Sequence, residues 1–578
     1  MAHLYKKVKK GHEYFYIRET QRVYGKPTTI NQVYLGTADK VEAALGKGGF
    51  SPKEFGSIFA LNELDRQLDL AGIVNEILPP KKRTKGPSLG ELVFYAAINR
   101  AISPTSKRQL ASWYESTDIQ RIRPLRLESL NSQNFWNHWD RISDGDLEKI
   151  TLAFFKKVNS LLPSREKQLV LEATEIAPSP HPPDTIVLGE KGNEDLAELL
   201  PQQKIGLALI TDWQAGVPVY AKTFPNGLPK VGLYENFEHL LQKVSDLETT
   251  IKDATVIIHE ETDSEALIPK IDASERMHFI GTFPAEFAPE LTKFSLKDFR
   301  PLAVKGEGER PLVASDDERI LYYETQAPFW GQTRRVIVTF DPKIFHKSYQ
   351  ELGKRVQRVR KEMTAWQQKY LQGDPAAADP EATRAHLAQL CQRLKIDPNL
   401  FQMTFQQEND RLLMEFQLDH HQMASNVRQF GKSILVTDRE DWSPAEIFET
   451  SVKRSILGPR VGGNKLGRMN GNNKDTRSYF QMALMPLYHW TDSKIRVHLF
   501  VCVVALTYLT LLCQQLAAAG VPTTPREAMD ELRALRTAIY LNAPDGKLRR
   551  VLERVNDKQA AILKVLGYQV QEGKILAI

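Results

Sequence analysis

Hydrophobic and polar residues follow a strand period at the start of the chain and a helical period after it. Up to about residue 45 every second residue tends to be apolar, on both sides of Gly25-Lys26-Pro27. This pattern predicts a hairpin or a small sheet with a Gly/Pro turn, and we place a β-hairpin arm at 1–50. From Phe55 to Leu162 the apolar spacing becomes helical, and Ser88 with Glu91 is typical of a capped helix start. We therefore predict a helical domain at 51–165. Its basic connections suit a DNA-binding domain, and they are equally typical of a helical bundle with solvated surface charge.

After Gln168 the pattern becomes that of an α/β protein. Leu169-Val170-Leu171 leads directly into Glu172, Ile205–Ile210 and Val217–Thr223 flank a turn, and Thr255–Ile258 ends at His259. Paired strands followed by alternating helices and strands predict a mixed-sheet α/β core. We place its first part at 166–345 and its second part at 432–515.

The stretch between the two core parts has a helical spacing of its own. Leu352, Val356, Val359, Met363, Trp366 and Tyr370 alternate spacings of four and three, a heptad seam. Leu387, Leu390 and Leu394 offer a returning face, so we predict an insertion domain at 346–431 with a helical hairpin. The last segment, 516–578, is predicted to be helical.

Composition describes a globular protein with a mildly basic surface. The 578 residues are 42% hydrophobic and 26% charged, with a net charge of +6, which permits a polyanionic partner. The three cysteines form no Cys-x-x-Cys pair, and no apolar stretch follows the basic N-terminus, so we expect a reducing cytoplasm and no signal peptide. Leu499–Leu512 is shorter than the ~20 residues of a spanning helix, which predicts a buried core helix and no membrane partner.

Two segments resemble those of a known family. Pro486-Leu487-Tyr488-His489-Trp490-Thr491-Asp492, running on to His498, and the stretch Lys204–Asn226 are similar to bacterial insertion-sequence transposases of the IS4 superfamily, most closely its IS1634 branch. The resemblance implies an RNase H-like core, double-stranded DNA as partner and a cytoplasmic, nucleoid-associated location. With the heptad seam it also suggests a homodimer. In such enzymes three carboxylates hold two metal ions that cut DNA.

The positions that match those carboxylates are degenerate in this chain. The first reads Glu172, one methylene longer than the family's aspartate, and the second reads His259. No glutamate lies between Thr450 and Trp490, where the third is expected; Glu261 and Glu449 are candidate substitutes. We therefore predict no bound metal and no cofactor if the chain is inactive, and Mg²⁺ if the substitutes restore activity.

Several basic tracts are candidates for phosphate contacts. A tract that replaces the expected third acid spaces its cations with glycine and asparagine, which suits a phosphate backbone. The predicted DNA-binding residues are Lys6, Lys7, Lys9, Lys10, Arg121, Arg123, Lys453, Arg454, Arg460, Lys465, Arg468, Lys474 and Arg477.

Three functions fit these observations. The first is a DNA-binding protein of the transposase family that has lost strand cleavage, through domestication or degeneration. The second is an active transposase that uses displaced acids and two Mg²⁺ ions. The third is a dimeric protein-interaction scaffold that no longer binds DNA.

Overall fold

A computed structural model describes most of the chain. The described residues are 2–9, 11–23, 25–37, 50–80, 86–176, 205–225, 227–229, 232–247, 250–259, 264–302, 319–372, 379–408, 411–453, 492–542, 547–571 and 574–577.

Strands and helices are both abundant. The strands are β1 (Ala2–Lys9), β2 (His12–Val23), β3 (Lys26–Gly36), β4 (Phe50–Glu54), β5 (Lys167–Ile176), β6 (Ile205–Asp212), β7 (Val217–Phe224), β8 (Ile251–His259), β9 (Met277–Pro284), β10 (Arg300–Pro301), β11 (Leu321–Phe329), β12 (Gln332–Phe340), β13 (Phe401–Glu408), β14 (Arg411–Leu418), β15 (Lys432–Thr437), β16 (Arg536–Asn542), β17 (Lys547–Leu552), β18 (Tyr568–Gln571) and β19 (Lys574–Ala577). The helices are α1 (Gly56–Leu68), α2 (Leu70–Ile77), α3 (Leu89–Ile102), α4 (Leu110–Ser116), α5 (Ile119–Ile122), α6 (Ser132–Trp139), α7 (Asp144–Leu161), α8 (Leu233–Asp246), α9 (Ser264–Asp272), α10 (Pro342–Gln372), α11 (Pro380–Leu394), α12 (His420–Val427), α13 (Pro444–Phe448), α14 (Asp492–Ala518), α15 (Pro525–Ala534) and α16 (Asp557–Val565).

A nine-stranded mixed sheet forms the centre of the molecule, in the order β10-β11-β12-β15-β9-β8-β5-β6-β7. The pairs β5–β8 and β8–β9 are parallel, whereas β5, β6 and β7 form an antiparallel series. β6 is buried at every position, as its unbroken apolar sequence predicts. The mixed α/β class predicted from the sequence is confirmed, and β5 lies inside the sheet between β6 and β8.

The sheet shares one hydrophobic core with the preceding helices. Phe155 of α7 lies 6.0 Å from the ring of Tyr220 on β7, and Phe154 faces Phe500 and Tyr508 of α14. By length and composition alone, the stretch Ser493–Ala518 could cross a membrane, but its most apolar window is wholly buried inside the fold. This burial agrees with the core helix predicted around Leu499–Leu512.

The segment between β12 and β15 has a second hydrophobic core. α10 and α11 pack together and against the hairpin β13–β14, with Val359 and Met363 fully buried. The heptad seam of α10 is thus covered within one chain, by α11 and β14. The seam therefore does not need a second copy of the chain to be covered.

Of the two terminal expectations, one holds and one was wrong. The N-terminal arm is a three-stranded antiparallel sheet, β1-β2-β3, so the small sheet and not a single hairpin is formed, because the chain pairs again after the Gly25 turn. The C-terminal region is not all helical: β16 pairs with β17 and also with β4 from the other end of the chain. Pairing with a strand so distant in sequence overrides the local helical pattern.

Candidate functional site

Glu172 lies on β5 with only 1% of its surface exposed. Successive strand residues point to opposite faces, so Glu172 shares a face with Val170 and not with Leu171. Val170 packs in one cluster with Ile257 of β8 and Phe448 of α13, whereas Leu171 belongs to the main core. The face that carries Glu172 is therefore the one that α13 covers, and we call it the α13 face.

His259 is the last residue of β8 and is in register with Thr282 of β9. β8 runs parallel to β5, with Val170 opposite Thr255 and Leu171 opposite Val256. Continuing this register places Glu172 of β5 opposite Ile257 of β8. His259 lies two residues beyond Ile257 along β8, on the same face of the strand. The chain thus puts a histidine where β8 ends beside the strand of Glu172; Glu261 lies outside the described residues.

Glu449 begins the single π-helical turn Glu449–Lys453, which continues α13. α13 starts as the sequence predicts, with Ser443 as N-cap, Glu446 completing a capping box and Pro444 in the first turn. The Oε1 atom of Glu449 is buried. Because α13 packs on the face that holds Glu172, the side chain of Glu172 and the turn that carries Glu449 lie on the same side of the sheet.

Stacked tryptophans hold α13 and its π turn on the sheet. The rings of Trp213, just after β6, and Trp442, just before α13, are 4.6 Å apart and nearly parallel. The Nε1 of Trp213 donates a hydrogen bond of 2.8 Å to Thr450 Oγ1. The π turn is therefore tied to the end of β6, beside β5.

Two buried arginines fix the segment between β15 and α13. Arg335 Nη1 donates to the carbonyl oxygens of Arg439 and Trp442, both at 2.7 Å. Arg439, itself 1% exposed, makes an ion pair with Asp253 and donates to Thr255 Oγ1 at 2.9 Å. Burial alone would raise the pKa of Asp253, but the hydrogen bond and charge of Arg439 hold that pKa below its ordinary value.

This anchoring network is not visible in the sequence pattern. Asp253 and Arg439 are single charged residues at the ends of apolar segments, and nothing local indicates that they meet. A weak signal exists in retrospect, since a charged residue at the start of a buried strand needs a partner of opposite charge.

The described residues near the α13 face include few side chains that could bind a metal ion. No group of three or more His, Cys, Asp or Glu side chains there is arranged to hold a metal ion. Hard cations such as Mg²⁺ prefer oxygen ligands, and a histidine at position 259 does not replace a carboxylate for them. The donors described on this face do not match a two-magnesium site.

The predicted DNA-binding residues fall into three groups. Lys7 and Lys9 are exposed on β1, and Lys6 is exposed while paired with Glu13 at 2.6 Å. Arg121 has 41% of its side chain exposed. Lys453 ends the π turn; Lys10, Arg454, Arg460, Lys465, Arg468, Lys474 and Arg477 lie outside the described residues.

Arg123 has an internal role that the basic tract did not suggest. Its Nη2 lies 2.7 Å from Asp65 Oδ2, its Nε donates to Asn62 Oδ1 at 2.8 Å, and its guanidinium carbon is 4.0 Å from the Phe94 ring centre. Asp65 is fully buried, so this arginine neutralises a charge inside the helical part of the fold. Its guanidinium is therefore occupied within the fold.

Comparisons with known proteins found a distant structural similarity and no sequence family. No family model and no curated protein matches the chain. Among solved structures, a cryo-EM structure of the piggyBac transposase synaptic complex with hairpin DNA has a TM-score of 0.30 and 9% identity. That match covers 82% of this chain and 78% of the other, a distant similarity only.

Proposed function

We propose that the protein is a DNA-binding member of the transposase group, related to the IS1634 branch of the IS4 superfamily, that no longer cuts DNA. The order of the core strands supports the assignment to this group. The five strands β7-β6-β5-β8-β9 form an antiparallel series of three followed by two parallel strands, the arrangement expected of an RNase H-like core. Glu172 occupies the central strand of these five.

Loss of cleavage is expected from the residues at two of the three acid positions. His259 stands where a carboxylate is expected at the end of β8, and Glu172, within β5, is one methylene longer than the aspartate expected there. A misplacement of order 1 Å can cost about 100-fold in rate. A histidine at the end of the strand beside Glu172 is the observation that carries this proposal.

Incubation of the purified protein with supercoiled plasmid and with a linear duplex tests it directly. We expect binding to the duplex in the presence of Mg²⁺ or Mn²⁺ without nicking or end joining. His259→Asp is the informative gain-of-function variant, because it restores the acid that the family carries there. Metal-dependent nicking by the unmodified chain would overturn the proposal.

A second candidate is an active transposase with displaced acids. It is favoured by one observation. Glu172 is buried on the α13 face of β5, and Glu449, whose Oε1 is buried, lies in the turn that follows α13 on the same side of the sheet. If this candidate is right, Glu172→Gln and Glu449→Gln each abolish nicking. Glu166→Gln, an exposed position just before β5, is the matched control and should leave it unchanged.

DNA binding is proposed to depend on the cationic tract that follows the π turn. Neutralising phosphates releases counterions, so affinity for a duplex should fall steeply with salt. Replacing Arg460, Lys465 and Arg468 by alanine should reduce the slope of log affinity against log salt by about 0.9 for each phosphate that is no longer neutralised. If this slope does not change, the tract does not contact the DNA. The proposal of a DNA-binding protein without cleavage activity would then be unaffected.

A further inference from the structure

The N-terminal sheet segregates its charges between its two faces. Between Ala2 and Gly36 the only acidic residues are Glu13 and Glu19. Both share a face with Ile17, since residues two apart along β2 point the same way. Each acid has a cation: Lys6 lies 2.6 Å from Glu13, and Arg550 lies 2.9 Å from Glu19. This face packs on the body of the protein through Ile17, Leu35 and Ile539.

The opposite face carries tyrosines. Tyr5 is paired with Tyr16, and Tyr16 with Tyr34, so the three side chains cross the sheet on one face. Ring centres are 6.3 Å apart for Tyr5 and Tyr16, 5.2 Å for Tyr16 and Tyr34, and 6.2 Å for Tyr14 and Tyr34. Tyr34 is 58% exposed, and the other three are partly exposed. We call these four residues the tyrosine row.

Three cations lie on the same face as the tyrosine row, whereas neither of the two acids between Ala2 and Gly36 does. Lys7 is opposite Tyr14 and Lys9 is opposite His12 in the pairing of β1 with β2, so both lysines lie on the tyrosine face. The guanidinium carbon of Arg18 is 3.8 Å from the ring centre of Tyr5. The contacts between the tyrosine rings would stabilise the sheet wherever the acids were placed. Folding stability therefore does not explain why Glu13 and Glu19 both lie on the opposite face.

We propose that the tyrosine row is a stacking platform for unpaired nucleotides of a DNA strand. The inference rests on the DNA-binding function proposed above. It adds a second site, which binds single-stranded rather than double-stranded DNA. Bases stack on exposed aromatic rings with little sequence preference, and flanking lysines and arginines follow the phosphates. A duplex is a poor occupant, because its base faces are covered by stacking on their neighbours, whereas a single strand offers both bases and phosphates.

Fluorescence anisotropy with the full chain tests the platform. The probes are a labelled single-stranded DNA oligonucleotide, its duplex, and an RNA of the same sequence. The double variant Tyr16→Leu/Tyr34→Leu removes the ring faces but keeps apolar strand residues. It should weaken single-strand binding by about 5- to 100-fold, the range expected for loss of base stacking, while duplex affinity stays within about twofold.

Matched variants separate stacking from general effects. Tyr16→Phe/Tyr34→Phe keeps the rings and should bind the single strand like the unmodified chain. Lys7→Ala should lower the salt slope of single-strand binding by about 0.7, whereas its neighbour Lys6→Ala, on the opposite face, should not. If the double leucine variant unfolds on melting analysis, Tyr34→Leu alone, at the most exposed ring, replaces it.

Each outcome decides the matter. The platform is wrong if the leucine variants bind the single strand normally, if the unmodified chain does not bind it, or if duplex and single-strand affinity fall by the same factor. RNA binding that equals DNA binding and is lost in the same variants supports recognition of unpaired nucleotides; RNA binding without DNA binding overturns the DNA assignment. Failure of the unmodified chain to bind duplex DNA overturns the proposed function. The platform is then decided by the single-strand binding of the tyrosine variants alone.

Discussion

At the residue scale, neighbouring basic residues have different roles that only the fold separates. Arg121 and Arg123 belong to one basic tract and look equivalent in sequence. Arg123 neutralises Asp65, while Arg121 is largely at the surface and 3.7 Å from Asp118. Burial raises the pKa of Asp65, whereas its hydrogen bond from Tyr508 and the charge of Arg123 lower it. The buried carboxylate is therefore unfavourable by itself, and the fold depends on Arg123 to offset that cost.

Arg123→Ala should therefore destabilise the protein without changing its salt response. Removing one partner of a buried pair leaves an uncompensated charge, which costs about 3–5 kcal/mol. Arg121→Ala should cost less, because the Arg121 side chain is 41% exposed and the buried Asp118 keeps two other partners, Arg550 at 3.9 Å and a hydrogen bond from Thr537. Urea unfolding followed by fluorescence, together with the salt slope of duplex binding, distinguishes the two. A large loss of stability in Arg121→Ala, or none in Arg123→Ala, would contradict this assignment.

The pair Arg439–Asp253 predicts a pH-dependent defect. The pKa of Asp253 is lowered in the folded protein, so its contribution to stability is present above its unfolded pKa of about 3.9 and is lost as pH falls through the folded value. Arg439→Ala should lower the free energy of unfolding by about 3–5 kcal/mol near neutral pH. The difference from the unmodified chain should shrink in acid, where Asp253 is protonated in both. Arg66→Ala, on an exposed helix face, is the control.

At the scale of elements, local pattern identified most of the central sheet. The apolar runs at Ile205–Ile210, Val217–Thr223 and Thr255–Ile258 are strands, as predicted, because buried strands have short apolar sequences. β16 was missed because its sequence, Arg536–Asn542, fits a helix as well as a strand. Its partner β4 lies near the other end of the chain, where no local signal indicates the pairing.

The junction of β4 and β16 contains a buried lysine that should make stability depend on pH. Burial, then the nearby charge of Arg550, lowers the pKa of Lys53 to about 8, although Asp118, Glu19 and Glu115 act in the other direction. Between that value and about 10.4 the unfolded chain binds the proton more often than the folded one, so stability rises with pH. The gain between about pH 7 and about pH 9.5 should be at most about 2 kcal/mol.

Lys53→Met isolates this effect. The variant should be more stable than the unmodified chain near neutral pH and should lose most of the rise in alkali, since methionine has no proton to exchange. Thermal midpoints across the pH range measure both changes. Lys564→Met, on the C-terminal helix α16, serves as a control for the loss of a positive charge. A variant with an unchanged pH profile would show that another group is responsible.

At the scale of the whole molecule, contacts between distant segments position the candidate site. Glu172, His259 and Glu449 were predicted from the resemblance to a known family, and the structure puts Glu172 and the turn of Glu449 on one side of the sheet. The contacts that fix this arrangement, Trp213 with Trp442 and Arg439 with Asp253, join segments that are more than 180 residues apart. Such contacts follow from topology, which periodicity alone does not specify.

The described residues form two large hydrophobic cores, which should respond separately to a side-chain truncation in each. Phe154 is fully buried between α7 and α14 in the main core, and Met363 is fully buried in the core of the inserted segment. Phe154→Ala and Met363→Ala should each remove about 2–5 kcal/mol of local stability. Amide hydrogen exchange should then quicken in β5, β8 and α14 for the first variant, and within residues 342–430 for the second. Faster exchange throughout the chain in both variants would mean that the two cores unfold as one unit, and the inserted segment would then be a structural part of the sheet domain.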